Sequence, residues 1–346
     1  MKFFKDFSNF SSGFENCITT IDSHTEGEST RLIVNGLEDI KGKTMMDKLE
    51  WFKSHYDHIR CLLTKEPRGS KEILAALVTE NVTKTAKFGL IYMDAKRYPY
   101  LCGHATIGAV ATLARTGFLS LEQGENSIFM DTPSGLMEAK VFVCEDKLNA
   151  VAINMVPSFV YDTDQEIEVK GFGTIKVDIV CTGGFFAMVD SRQINMEPDL
   201  KNKKILTDLG MKIIDAANEQ LTVSHPVRPD VTTIDVTEFY NSQYDEGTAF
   251  GKGMVIYGES HADRSPCGTG TAAKLTLLHH YGKIKMNQKY INYSPPGTSF
   301  DAMLIKKEKI GHVDGYIAQI KGMAYLTGVH HFIVEDDDPF QQGFIM

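Results

Sequence analysis

The chain has 346 residues, of which 42% are hydrophobic and 23% charged, with a formal net charge of −9 at pH 7. This length leads to an expectation of two domains of ~150 residues each, and the composition excludes extensive disorder or a fibrous repeat. No Lys/Arg block of the length that tracks a phosphate backbone is present, which argues against a nucleic-acid partner, and apolar runs such as KLNAVAINMV reach only about half the ~18 residues of a membrane span.

The start, MKFFKDFSNFSS, is broken by charge before an apolar export signal develops, so the cytoplasm is the expected compartment. The segment ENCITTIDSHTEGESTRLIVNG then reads as strand, polar loop (SHTEGES) and strand, closed by Asn35-Gly36. In MMDKLEWFKSHYDHIRCLL the residues Met46, Leu49, Phe52 and Ile59 keep roughly helical spacing, and TKEPRGS stops the helix. KFGLIYMD reads as a buried strand, and the turn AKRYPYL leads into the helical CGHATIGAVATLARTG. Strands at SIFMDT, LMEAKVFV and AVAINMV follow. The second half repeats this order: strands GTIKVDIVCTGG and FFAMVD, a helix near KILTDLGMKIIDAANEQL, strands TTIDVTEFY and GMVIYGES, then CGTGTAAKLTLLHHYG. Strands finish the chain, YLTGVHHFIVEDDDPF last.

CGHATIGAVATLARTG and CGTGTAAKLTLLHHYG superpose without a gap, the kind of self-similarity that marks a repeated architecture. Cys102 falls on Cys267, Gly103 on Gly268 and Thr106 on Thr271, while Gly117 and Gly282 each follow their cysteine by 15 residues. Each stretch reads as one helix with a thiol at its N-terminal turn and a glycine C-cap. Six cysteines stand at 17, 61, 102, 144, 181 and 267 with no Cys-x-x-Cys spacing. They are expected to be free thiols, most of them small buried core residues.

A helix N-terminus carries unpaired N–H groups and about half a positive charge, so it favours an anion. A thiol there gains thiolate character, and the following glycines and threonines let a substrate carboxylate approach closely. If the two halves face each other across one cleft, a thiolate on one side takes the α-proton of an amino acid and the opposite thiol returns a proton to the other face. Other uses of these cysteines stay open: a metal site with His104 and His261, a redox disulfide, or two core cysteines. His24 is either near such a site or a turn-stabilising side chain; His279-His280, His330-His331 and the acidic Glu335–Asp338 read as surface or cap residues.

On five elements in order, DSHTEGESTRLIV, EPRG (66–69), CGHATIGA (from 102), DRSPCGTGT (from 263) and LTGVHHFIVEDDDPFQQGF, the sequence resembles the proline racemase family over nearly its whole length. The resemblance implies an α+β fold of two pseudo-symmetric diaminopimelate epimerase-like domains, each a curved sheet around a central helix, with the active site in the interdomain cleft. The first domain is placed at 1–157, with 328–346 returning to it, and the second at 158–327. The resemblance makes Cys102 and Cys267 the two catalytic cysteines, and makes His104 and Asp263 contacts of the substrate ring nitrogen. Gly103, Gly268 and Thr269 become the carboxylate cradle. It implies a homodimer acting on a small amino acid, without pyridoxal phosphate or any metal.

Related trans-3-hydroxyproline dehydratases carry threonine at the second cysteine, so Cys267 points to a racemase or epimerase. Departures from the family pattern gather around substrate choice: Ser70 after EPRG, Leu74 and Tyr257 where phenylalanines are usual, Lys96-Arg97 for a glycine pair, and Leu101 for methionine. Proline racemase is the first reading, with 4-hydroxyproline 2-epimerase or a racemase of another small amino acid as alternatives, given Leu74 and Tyr257. A binding protein that has lost turnover, or a thiol redox or metal-binding protein, is the reading from another class.

Overall fold

A computed structural model describes residues 17–244, 248–258 and 260–346; the sequence start read for an export signal lies outside them. The chain separates into two compact units, one of residues 17–25, 29–151 and 323–346, the other of residues 26–28 and 152–322.

β1 (Cys17–Thr25) and β2 (Glu28–Asn35), which from Ser29 onward belongs to the first unit, form a hairpin. The residues between them, Glu26 and Gly27, both have positive φ (47° and 106°), as a two-residue turn twisted to suit its strands demands. The polar loop expected at SHTEGES therefore shrinks to two residues. Ser23, His24 and Thr25 instead continue the ladder against β17 (Ala324–Ile333), with His24 opposite Tyr325. Backbone pairing overrides the polar composition, and Ser23 and Thr25 are buried. A helix, α1 (Met45–Thr64), leads to β3 (Leu74–Thr79), parallel to β2, which pairs antiparallel with β4 (Phe88–Met93). The helix α2 (Gly103–Arg115) then leads to β5 (Gly124–Thr132), parallel to β4, and β6 (Gly135–Cys144) returns antiparallel.

β7 (Lys147–Asn154) carries the chain onward, and the same order recurs. In the second unit β8 (Ser158–Val169), β9 (Gly173–Thr182) and β10 (Gly184–Asp190) are antiparallel neighbours. The helix α3 (Lys203–Gln220) precedes β11 (Ile234–Tyr244), parallel to β10, and β12 (Ala249–Tyr257) returns antiparallel. After the short β13 (His261–Ala262), α4 (Gly268–His280) leads to β14 (Tyr290–Tyr293), parallel to β12, then β15 (Ser299–Ile310) and β16 (Val313–Gly322). A Tyr316–Ser158 bridge joins β16 to β8 and closes the ring of strands.

The two kinds of helix differ as their sequences require. α1 and α3 carry one apolar stripe each. A capping box starts α1, with the Asp47 N–H donating to Thr44 Oγ1 (3.1 Å) and the Thr44 N–H to Asp47 Oδ2 (3.0 Å). Its Leu49, Phe52, Ile59 and Leu63 pack on Ile33, Ala75 and Ile91 of the sheet, while Leu206, Leu209 and Ile213 of α3 pack on Phe239 and Ile256. In contrast, α2 is buried continuously from Gly103 to Leu113, and α4 from Gly270 to Leu278. Helices buried on every side are what a sheet wrapped around a central helix demands. Both end as expected, with Gly117 (φ 79°) and Gly282 (φ 66°) just past the C-caps.

EPRG ties down the end of the chain. Arg68 Nε donates to the Ile333 carbonyl (3.1 Å), and its Nη2 pairs with Asp338, whose carboxyl this contact holds below the usual range. Glu66 and Phe344 exchange backbone hydrogen bonds (2.9 and 2.8 Å). One member of the acidic run is thus a docking group rather than a solvated charge.

Candidate active site

In the first unit Cys102 is the N-cap of α2, in ordinary extended conformation (φ −141°, ψ 115°), and its side chain does not cap the helix. Its Sγ is half-buried and lies 3.3 Å from Nδ1 of His104, a buried residue on the first turn. The Cys102 carbonyl accepts from both the N–H (2.9 Å) and Oγ1 (2.7 Å) of Thr106, whose hydroxyl meets that of the buried Tyr92 at 2.6 Å. Thr25 Oγ1 donates to the His104 carbonyl (2.7 Å), tying the hairpin end to the same turn. Leu74 opens β3, a strand packed on α2, and is buried. Gly103 is the first helical residue.

In the second unit Cys267 is the N-cap of α4, but at φ 58° and ψ 118°. A residue with a β-carbon adopts this conformation at a cost of order ~1–3 kcal/mol, and surrounding bonds must hold it. Those bonds are present. The Cys267 N–H donates to Ser265 Oγ (3.1 Å), its carbonyl accepts from the N–H (2.9 Å) and Oγ1 (2.6 Å) of Thr271, and its Sγ accepts from the Gly270 N–H (3.4 Å). Thr269 Oγ1 lies 3.4 Å from the sulfur, and Gly268 precedes it. Asp263 is buried, its Oδ1 accepting from the Ser265 N–H and Oγ (both 2.8 Å).

The buried Cys267 thiol is pushed well above its ordinary pKa, first by burial and second by the Asp263 charge, with the Thr269 hydroxyl and the Gly270 N–H pulling back. That direction favours the protonated thiol at neutral pH. The helix-start effect is therefore outweighed here by desolvation. Of the other cysteines, Cys61 and Cys181 are buried, and burial pushes Cys181 up to about 12, as inert core thiols behave. Cys144 differs from the core expectation, because it closes β6 at the surface. All six are free thiols.

The Arg264 of DRSPC is clamped by Glu28. The backbone N–H (2.7 Å) and Nε (3.1 Å) donate to Oε2 and Nη2 donates to Oε1 (2.8 Å), with the carboxylate buried and His261 Nε2 3.4 Å from it. Tyr257, half-buried at the end of β12, sets its ring edge-on to His261 at 4.9 Å. Lys96 and Arg97 lie in the turn after β4, and both backbone N–H groups donate to Asp94 Oδ1 (2.7 and 2.8 Å). The Ser70 hydroxyl accepts from the Glu72 N–H (3.4 Å). His24 packs its ring against Tyr325. Among the described residues no three His, Cys, Asp or Glu side chains gather as a metal-holding group.

Three residues of the second unit escaped sequence reasoning: Glu238, Lys274 and Asn292. Lys274 and Glu238 are fully buried, 3.1 Å apart, and the Lys274 ammonium donates to Asn292 Oδ1 (2.7 Å). The available signal was a lone charge in each of two short patterns, AAKLTLL and VTEFY.

Across 92% of this chain and 99% of the other, the fold matches a phenazine biosynthesis protein of the PhzF family from Bacillus anthracis at TM-score 0.58 and 13% identity. A hydroxyproline epimerase from Agrobacterium vitis, solved with bound trans-4-OH-L-proline, matches over 96% of each chain at TM-score 0.84 and 27% identity. Architecture and likeness together define an isomerase of the racemase and epimerase class, on a diaminopimelate epimerase-like α+β fold. A family model described as proline racemase matches residues 20–345, and the proline racemase of Acetoanaerobium sticklandii is 38% identical over 332 residues, 96% of this chain and 99% of the relative. The chain belongs to the proline racemase family.

Proposed function

We propose that the protein interconverts L- and D-proline without a cofactor, Cys102 and Cys267 serving in turn as thiolate base and thiol acid. The observation that carries this reading is the duplicated helix start, where each unit presents one thiol at the first turn of its buried central helix. One thiolate takes the α-proton, and the electron pair of the broken Cα–H bond moves into the carboxylate. The other thiol then gives its proton to the opposite face of the carbon. Gly103, Gly268 and Thr269 hold the carboxylate as its charge grows, and His104 and Asp263 hold the ring nitrogen. The raised Cys267 thiol suits the acid role at neutral pH. A cytoplasmic homodimer belongs to the same reading.

4-Hydroxyproline 2-epimerase is the second reading. It is favoured by the hydroxyproline bound in the Agrobacterium vitis relative, together with Tyr257 and Leu74 in this chain. A tyrosine hydroxyl where the family pattern has a phenylalanine adds a group able to hydrogen-bond a substituted ring. Incubation with L-proline, trans-4-hydroxy-L-proline and other small amino acids in heavy water decides between them. Deuterium enters Cα of the true substrate, and either Cys→Ser variant loses racemisation. Full racemisation by Cys102→Ser would falsify the two-thiol mechanism, and faster exchange of trans-4-hydroxy-L-proline than of proline would select the second reading.

A further inference from the structure

We propose that Glu238 and Lys274 form a buried charge pair that positions the Cys267 thiol and sets its protonation, making both positioning residues for the reaction at that sulfur. The inference rests on the acid-base role assigned to Cys267 above.

The pair occupies room that glycine has cleared. A β-carbon on Gly270, at the first turn of α4, would stand 2.8 Å from Glu238 Oε2, and one on Gly253 of β12 would stand 2.5 Å from Oε1 and 2.7 Å from Lys274 Nζ. Cys267, Gly270, Thr271 and Lys274 follow at helical spacing, so carboxylate and ammonium lie along the stripe that begins with the thiol. From the ammonium a chain of hydrogen bonds runs back to the sulfur's own peptide. Lys274 Nζ donates to Asn292 Oδ1 (2.7 Å), and Asn292 Nδ2 donates to the Pro266 carbonyl (2.9 Å) and to Thr271 Oγ1 (2.7 Å). Thr271 Oγ1 donates to the Cys267 carbonyl (2.6 Å). These bonds fix the Pro266–Cys267 peptide that holds Cys267 at positive φ and thereby aim its Sγ. In the first unit the cysteine carbonyl accepts from Thr106, whose hydroxyl meets that of Tyr92, and Cys102 keeps an ordinary extended conformation.

Charge adds a second effect. The groups facing the thiol are Asp263 from the preceding loop, Glu238 from β11 and Lys274 from α4. Facing the ammonium are Glu238, Asn292 of β14, Cys267 and the Tyr240 ring, 6.0 Å away. Burial drives Glu238 up and Lys274 down, toward a shared proton, while each partner's charge opposes that drift. A second negative charge beside Glu238 is disfavoured, and one beside Lys274 is favoured.

The test measures the pH midpoint of Cys267 alkylation by iodoacetamide, read on the Cys267 peptide by mass spectrometry, in the wild type, Glu238→Gln, Lys274→Met and the double variant, each with a native circular dichroism spectrum. Glu238→Gln leaves the ammonium with the thiolate as its nearest anion, and the midpoint falls by about one pH unit. Lys274→Met leaves a carboxyl that competes for the negative charge, and the midpoint rises. The double variant returns toward wild type. With the substrate found in heavy water, kcat falls about 10-fold or more in each single variant while KM stays within about twofold. Midpoints that do not move, or move the same way in both single variants, overturn the proposal. If Lys274→Met fails to fold, the direction in Glu238→Gln decides. Alkylation needs no turnover, so an absence of α-proton exchange in the wild type would strike the racemase reading and leave this test standing.

Discussion

At the scale of residues, the two cysteines share a position and differ in state. Thr106 and Thr271, the matched fifth residues of the two stretches, play one part: each Oγ1 donates to the carbonyl of its cysteine, 2.7 and 2.6 Å away. The difference lies in what surrounds the sulfurs. Cys102 is half-buried beside an imidazole, whereas Cys267 is buried beside a carboxylate and bent into positive φ. Asp263 is the second cause of the raised Cys267 thiol, after burial. Asp263→Asn keeps an Oδ1 acceptor for Ser265 and removes the charge. We predict that its Cys267 alkylation midpoint falls by about one pH unit. A midpoint that rises or stays put would show that burial alone sets the thiol.

At the scale of elements, close approach between helix and sheet decides what can be changed. Gly210 brings α3 against β12, and a β-carbon there would lie 2.9 Å from both Cβ and Cγ1 of Ile256, a stiff branched side chain in the core. Alanine gains up to ~1 kcal/mol of helix propensity over glycine, but overpacking costs ~1–3 kcal/mol. Gly210→Ala is therefore expected to lower the melting temperature by a few degrees in a thermal scan. An unchanged or higher melting temperature would mean that α3 rides outward at no cost. The elements themselves were legible wherever apolar spacing was strong: both amphipathic helices, both cysteine-headed helices and their stop glycines stand where the pattern puts them. SHTEGES was misread because a strand lining a central helix can turn small polar side chains inward. Gly108 shows why: a β-carbon on it would meet Thr30 Oγ1 at 3.0 Å and Ser23 and Thr25 Oγ1 at 3.2 Å. Lys274 and Glu238 stayed hidden as a pair, since a lone charge in an apolar run announces a partner without saying which strand supplies it.

At the scale of the whole molecule, the repeat is asymmetric in how the chain completes it. The second unit draws nearly all its residues from one stretch, 152–322. The first begins with β1 and takes the strand beside it, β17, from the other end of the chain, pairing Cys17 with Ile333. A contact across such a sequence separation forms slowly, because the loop must close before the contact rewards it. We predict that pulsed hydrogen exchange during refolding finds the amides of β8–β12 and α4 protected before those of β1 and β17; the reverse order would refute this. On a ribosome the consequence is sharper. The cysteine translated first, Cys102, waits for its housing until the last strand emerges, and Cys267, translated later, is enclosed sooner. A chain released before β17 would carry the surroundings of Cys267 complete and those of Cys102 unfinished.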